Sequence, residues 1–577
     1  MTTIDWIVLL VTLLTVLLYG LYKSRGQKDM ESYFLSNRSM PWYIVLFSIM
    51  GTQASAITFL SAPGQAYTDG MRFVQYYFGL PLAMIVLCIF FLPVYSRLGV
   101  YTAYEFLEQR FDRKTRLLTS ALFLLQRGLS TGISIYAPSL ILSSLLGWNI
   151  YYTNVLMGGL LIVYTVTGGA KAVAYTQTQQ LLIIFFGMFL AGYLAVSMLP
   201  ENWSFTDALH LAGASGKLNV ITSGFNAQGF DWKDKYNLFS GLIGGFFLAL
   251  SYFGTDQSQV GRYLTTRELN DSRKGLLMNG FVKIPMQFLI LLCGALVFSF
   301  YVSYNAPLSF NEKQLQKTFI HPEGRELNVL QEKYNALGIE QKNKAERYLH
   351  LLGNESEDNE SKELSRELKR LEFEKNKIRK DAAALMKKTD PAADANDTNY
   401  IFLHFVVNHL PAGVVGLLIA IIFLAAWGSI AAALNSLSST SLIDWHHRLR
   451  PKERNDSHNL RLSRLYTLMW GVFSIFIAQL AGNMGSLIEA VNVLGSLFYG
   501  TILGIFCVGL FMKGVPGKAV FNGALITQVL VIVVFSMDLI SFLWLNLIGC
   551  GGVLIFSMIF SLFSLQPEKV YDNTGKQ

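Results

Sequence analysis

Runs of about twenty apolar residues recur from one end of this 577-residue sequence to the other. A run of that length matches the hydrocarbon thickness of a bilayer, about 30 Å at 1.5 Å per helical residue. Lipid offers no partner to a free N–H or C=O, so an uninterrupted apolar run can cross only as a helix. Reading the runs in order gives about thirteen segments: 4–22, 40–67, 74–98, 116–146, 150–168, 171–199, 237–262, 275–304, 400–445, 460–482, 485–512, 517–537 and 539–564. The segment 400–445 is too long for one straight crossing and reads as a short surface helix leading into a span. Composition agrees, with 52% hydrophobic and 15% charged residues. The first segment carries Asp5 where a secretion signal needs a basic stretch, so it reads as a retained helix. The expectation is an all-α polytopic membrane protein.

Lys and Arg concentrate in alternate loops. The stretches "YKSRGQKDMESYFLSNRSMP", "SRLGVYTAYEFLEQRFDRKTR", "GRYLTTRELNDSRKG" and "WHHRLRPKERNDSHNLRLSR" fall on one side if crossings alternate. By the positive-inside rule the amino terminus is then outside and the carboxyl terminus inside a plasma (inner) membrane. The net charge of +8 is mostly this topology signal. No basic face on a soluble domain supports a nucleic-acid partner.

The stretch 306–398 is a different polymer, with about eighteen acidic and seventeen basic residues. Leu364, Leu368, Leu371, Lys375, Ile378, Ala382 and Leu385 form a heptad seam. Leu327, Leu330, Tyr334 and Leu337 begin another before the breaker "GNESEDNES". This predicts an antiparallel helical hairpin outside the membrane, either a solvated spacer or a surface for an extracytoplasmic protein partner. It divides the chain into a first membrane part (1–305), the insert (306–398) and a second membrane part (399–577).

Cys88, Cys293, Cys507 and Cys550 lie within apolar segments without metal-ligand spacing, as packing residues do. No HExxH, P-loop or Gly-x-Ser-x-Gly elbow is present, so the chain does not read as an enzyme.

Two apolar segments carry helix breakers and hydroxyls: "GTQASAITFLSAPGQAY" (51–67) and, five crossings later, "ALSYFGTDQSQVGRYL" (249–264). Irregular backbone at membrane depth is tolerated where it lines a cavity, and an unwound helix frees carbonyls that suit a dehydrated Na+. Paired interruptions of this kind point to an inverted-repeat transporter. A third polar seam, "AAWGSIAAALNSLSSTSLID" (425–444), can approach the first break, although small residues also mediate ordinary helix packing.

Arg127 stands about 16 Å into its helix at 1.5 Å per residue. A charge at that depth needs a partner or a wet cavity. It is either half of a fixed ion pair, with Asp256 or Glu489, or an anchor for a carboxylate substrate assisted by Lys283. Lys283 alternatively snorkels toward the inner surface. Asp444 reads as a helix-end cap.

The motifs "SAITFLSAP", "RLGVYTAYEFLEQRF", "TGISIYAPSLIL", "YTVTGGAKAVAYTQTQQ", "SYFGTDQSQVGRYL" and "LNSLSSTSLID" resemble the sodium/solute symporter family, in its iodide, monocarboxylate and multivitamin branch. The resemblance covers nearly the whole chain outside 306–398. It implies a LeuT-like fold of two inverted five-helix repeats, helices two to six and seven to eleven, with flanking helices. It also implies a Na+ site at Gly51, Ala54, Ala425, Gly428 and Ser429. Gly428 departs from the family's pair of adjacent hydroxyl residues. A second Na+ site would need an aspartate and hydroxyls where this chain has Gln177, Ala431 and Ala432, so one Na+ per solute is expected.

The same resemblance implies solute contacts at Gln53, Thr58, Tyr76, Tyr77, Lys283 and Asn492, with Tyr252 as a gating aromatic. Tyr77 and Ala249 stand where sugar-carrying members have a glutamate and an asparagine, which disfavours a simple hexose. The expected activity is Na+-coupled symport of a small organic solute, such as a carboxylate, by alternating access. The alternatives are a proton-coupled or uncoupled carrier, motivated by Gly428, and a non-transporting sensor or scaffold, motivated by the insert.

Overall fold

A computed structural model describes residues 1–23, 30–321, 324–352, 358–391, 394, 396–449 and 456–563. The core of the predicted breaker, 353–357, lies outside them. The helices are α1 (Thr3–Lys23), the pair α2 (Trp42–Gln53) and α3 (Ala56–Asp69), and the span α4 (Met71–Leu98). Next come α5 (Arg113–Leu146), α6 (Ile150–Ser197), α7 (Gly245–Thr255), α8 (Gln257–Tyr263) and α9 (Leu269–Tyr304). The insert supplies α10 (Gly324–Leu351) and α11 (Asp358–Thr389). The chain then continues through α12 (Ile401–His409), α13 (Val414–Thr440), α14 (Asp456–Ala478), α15 (Leu487–Phe511), α16 (Gly517–Ser536) and α17 (Phe542–Phe563).

Ten helices among the described residues are long and apolar enough to cross a membrane. The pair α2/α3, bent by 61°, makes an eleventh. Two shorter apolar stretches, Ile150–Val166 and Ser240–Thr255, stand where the expected crossings 150–168 and 237–262 lie. The segment 400–445 divides as expected into the short α12 and the long, buried α13. The segments 150–168 and 171–199 carry separate apolar stretches, Ile150–Val166 and Ala170–Ser197 of α6, and the Tyr164 and Thr176 hydroxyls meet at 2.9 Å, a pair that one straight helix would hold about 18 Å apart, so the two stretches lie side by side.

Helices pack closely where glycines let backbones touch. A Cβ on Gly294 of α9 would lie 2.1 Å from the Pro63 carbonyl oxygen on α3. Nearer the start of α9, a Cβ on Gly275 would meet Val45 of α2 at 3.3 Å. The register is therefore parallel, and Lys283, eight residues beyond Gly275, stands level with Gln53, eight beyond Val45.

In the insert, α10 and α11 pack against each other as an antiparallel pair. Leu364, Leu368, Leu371, Lys375, Ala382 and Leu385 of α11 are buried, Ala382 and Leu385 in one cluster with Leu327 and Tyr334 of α10 and Leu364 and Leu368 in another with Ala345 and Tyr348. Lys344 pairs with Glu367 across it at 2.8 Å. Its foot sits on α3: the Arg379 guanidinium stacks between Tyr67 (5.5 Å), Phe310 (4.7 Å) and Tyr334 (5.3 Å) and donates to the Pro307 carbonyl. Lys217 pairs with Glu372 at 3.1 Å.

Burial in the seam pulls the Lys375 ammonium down to about 8 from its ordinary 10.5, Glu372 offsetting only part of the shift. The folded value lies below the unfolded one, so above pH 8 the unfolded chain binds the extra proton and stability climbs with pH. We expect the hairpin to gain stability as pH rises from about 8 toward 10, by about 3 kcal/mol at most at 1.36 kcal/mol per pH unit. Tyr334, pushed up by burial, opposes this only above its ordinary value of 10. Amide hydrogen exchange of α10 and α11 against pH checks it, and Lys375→Met should flatten the slope.

Candidate functional site

The first break is local chemistry. Hydroxyl residues compete with the helix ladder, and Thr52 already donates its hydroxyl to the Ser48 carbonyl at 2.7 Å. Helix α2 ends at Gln53, Ala54 leaves helical geometry (φ −81°, ψ 80°), and extended Ser55 leads into α3. The Ser55 N–H, which a continuous helix would give to Gly51, donates to the Gln53 carbonyl at 3.0 Å. The Thr58 N–H, owed to Ala54, donates to Ser55 at 2.9 Å. Gly51 and Ala54 thus lose their usual i+4 donors, leaving carbonyl oxygens for another partner.

The second break falls at Asp256, extended at φ −78° and ψ 117° between α7 and α8. One carboxylate oxygen caps α8 by accepting the Ser258 N–H (2.8 Å) and hydroxyl (2.6 Å). The other accepts from Tyr499 Oη (2.8 Å) and from the Arg127 guanidinium. Arg127 is therefore ion-paired with Asp256, while Glu489 pairs with Lys235 instead. The guanidinium also stacks 5.4 Å over the Tyr252 ring, and its Nε finds no partner among the described residues.

The breaks flank a cavity of about 100 Å³. Gln53, Thr58, Tyr76, Tyr77, Arg127, Tyr252 and Asn492 all line it, together with Ser429. Tyr76 donates its hydroxyl to Asn492 at 3.1 Å, closing one side. Lys283 does not line it. It lies behind Tyr77, its ammonium 5.4 Å from that ring, fully buried and without a hydrogen-bond partner among the described residues. Snorkelling is therefore excluded: level with Gln53, the ammonium is at the depth of the break. Gln126, Ser130, Thr131 and Ser134 of α5 also face the cavity. Their signal was present in "QRGLSTGIS", polar at helical spacing on either side of Arg127.

Of the five residues expected at a Na+ site, Ser429 faces the cavity, and its hydroxyl donates back to the Ala425 (3.0 Å) and Ala426 (3.2 Å) carbonyls. Gly51 of α2 and Gly428 of α13 press on opposite parts of one side chain, Gln177. Ala425 and Ala54 are buried nearby on the same elements. Such a donor set is neutral oxygen throughout, which suits a hard monovalent cation. No group of three His, Cys, Asp or Glu able to hold a metal occurs among the described residues.

At the far end of α13, Asp444 is not a helix cap. It lies in a wide turn, Ser441–His446, where its carboxylate pairs with Arg116 of α5 at 2.6 Å and accepts from Thr102 at 2.8 Å. Arg116 also pairs with Glu108 at 2.5 Å. The four cysteines are buried and unbridged.

The family model described as "Sodium:solute symporter family" matches residues 33–335 and 382–530, so its gap falls inside the insert. The sodium/sialic acid symporter NanT of Aliivibrio fischeri is 24% identical over 557 residues, covering 96% of this chain and 92% of that protein. The sodium-coupled monocarboxylate transporter 1 of Xenopus laevis is 30% identical over 286 residues, 48% of this chain and 44% of that one. The human sodium/iodide cotransporter is 30% identical over 276 residues, 48% and 42%. Among solved structures, a Na+-coupled sialic acid symporter in a substrate-bound outward-open state superposes with a TM-score of 0.73 at 23% identity. It covers 97% of this chain and 98% of that one.

Proposed function

The chain belongs to the sodium:solute symporter family, and from that premise we propose that it moves one Na+ with one small organic solute, an anion such as a carboxylate, by alternating access. Na+-coupled solute transport by a multi-pass membrane protein follows from the membership. The ion count, the solute class and the architecture are our reading. The architecture is a LeuT-like five-plus-five inverted repeat with flanking helices, about thirteen crossings, amino terminus outside and carboxyl terminus inside. Residues 306–398 form a separate extracytoplasmic unit between two membrane parts, 1–305 and 399–577.

One observation carries the reading: the break at Ala54 and Ser55 leaves the Gly51 and Ala54 carbonyls without their i+4 donors, beside a polar cavity that Ser429 also lines. Na+ held there by Gly51, Ala54, Ala425, Gly428 and Ser429 would tie α2 to α13, and solute in the cavity would bind more tightly for it. The coupling is reciprocal by linkage. Gln53, Thr58, Tyr76, Tyr77, Tyr252 and Asn492 would surround the solute. Arg127, with an unpartnered Nε, would meet a carboxylate while Asp256 balances its charge. Lys283 would act from behind Tyr77. Each Na+ entering down about 100 mV supplies about 2.3 kcal/mol.

The test is thermal stability of the purified protein titrated with Na+ against choline at constant ionic strength. Wild type should be stabilised by Na+ alone. Ser429→Ala should shift the Na+ midpoint upward by about tenfold, the loss of one bond to a charged group, with expression unchanged. An unshifted midpoint removes Ser429 from the site, and equal behaviour in both salts favours an uncoupled carrier.

A further inference from the structure

We propose that the Gln177 carboxamide closes the cation site from the side of α6, bridging α2 to α13 without an ion, so that Na+ must displace its amino group. The inference rests on the Na+ reading above and adds the residue that sets how strongly Na+ binds.

Gln177 is fully buried, and both ends of its amide are used. Its Oε1 accepts the Ser48 hydroxyl at 2.7 Å. Its Nε2 donates to the Thr52 hydroxyl at 3.1 Å and to the Gly428 carbonyl at 3.0 Å. Ser48 and Thr52 lie on α2 and Gly428 on α13, the two elements a cation would join. The Thr52 hydroxyl spends its own proton on Ser48, so toward Gln177 it can only accept.

Volume makes Gln177 and Gly428 one unit. A Cβ on Gly428 would stand 2.5 Å from Gln180 Oε1 and 3.1 Å from Gln177 Cγ. A Cβ on Gly51 would stand 2.9 Å from Gln177 Cβ. A hydroxyl residue at 428 would therefore displace the Gln180 amide first and crowd Gln177 by a few tenths of an ångström. The two departures noted in the sequence, glutamine at 177 and glycine at 428, thus touch each other and share one pocket of space.

The change also reverses the local chemistry. A carboxylate and a hydroxyl offer lone pairs to a cation, whereas an amide NH2 presents the positive end of its dipole to the Gly428 oxygen. The amino group occupies that oxygen in the absence of Na+ and holds the two elements together. Na+ therefore competes with it, and its binding is weaker than the oxygens alone would give.

Na+ titrations of thermal stability at constant ionic strength, balanced with choline, test this on the full-length protein. Gln177→Met, similar in length but without a donor, should unfold earlier in choline yet reach half-saturation at about tenfold lower Na+. Gln177→Glu, isosteric with an oxygen in place of the NH2, should lower the midpoint at least as far and carries the test if the methionine variant does not fold. Midpoints equal to or above that of wild type in the folded variants overturn the proposal while leaving Na+ binding intact. No Na+ response in wild type or in either variant overturns the Na+ reading and this inference together. A response that emerges only in the variants supports the inference. Independently, Gly428→Ser should destabilise the Gln177 protein more than it destabilises Gln177→Ala. Additive effects would show that the two positions are not one unit.

Discussion

Asp256→Ala is expected to lower the stability of the folded protein by about 3–5 kcal/mol, the cost of leaving a buried charge without its partner. The Arg127 side chain is 11% exposed and the Asp256 side chain fully buried. Asp256 also caps α8 and accepts from Tyr499, so its loss opens the second break as well as the ion pair. Asp256→Asn keeps an oxygen for the cap and removes only the charge, and should fall between wild type and alanine. The double variant Arg127→Met with Asp256→Ala should be less damaged than the sum of the single changes. Denaturation in detergent of the four proteins closes a double-mutant cycle. A coupling energy near zero would show that the pair does not act as a unit, and would return Arg127 to the cavity as a free anion anchor.

Arg116→Met should be nearly as damaging, for a different reason. Both Arg116 and Asp444 are fully buried, and Arg116 also serves Glu108, so its removal leaves two carboxylates close together around an apolar side chain. About 3–5 kcal/mol is again the scale for breaking such a pair. Arg116→Lys retains the charge but not the fork that reaches both acids, and should recover only part of the loss. Adding Asp444→Asn to Arg116→Met should restore stability, because the uncompensated charge is then gone. If the double variant is worse than Arg116→Met alone, the neighbourhood is held by packing and the ion pair contributes little.

Features encoded locally were the ones legible in the sequence. The 61° bend at Ala54 and Ser55 follows from Gly, Thr and Ser at one level of an apolar run, and the hairpin seam from a heptad. Seven of the eight predicted solute contacts line one cavity, six because the family motifs fix their places in order along the chain and Arg127 because a charge at that depth needs polar company. What escaped depends on which neighbour packs on which face. Lys283 looked free to snorkel, since a sequence does not show that Tyr77 and the α2/α3 pair cover it. Asp444 looked like a cap, since Arg116, its partner, is 328 residues away. Gln177 registered only as a lost carboxylate, because its bridge requires Ser48, Thr52 and Gly428 to be brought together by three helices.

The seating of the insert on Tyr67 has a mechanical corollary. Helix α10, with 28 residues, is about 42 Å long at 1.5 Å per residue, and Arg379 clamps the hairpin foot to the second half of the broken pair. A tilt of about ten degrees in α3 would sweep the hairpin tip through about 7 Å over that arm. The insert is thus a pointer fixed to α3, and a fluorophore near residue 350 would magnify any tilt of that helix.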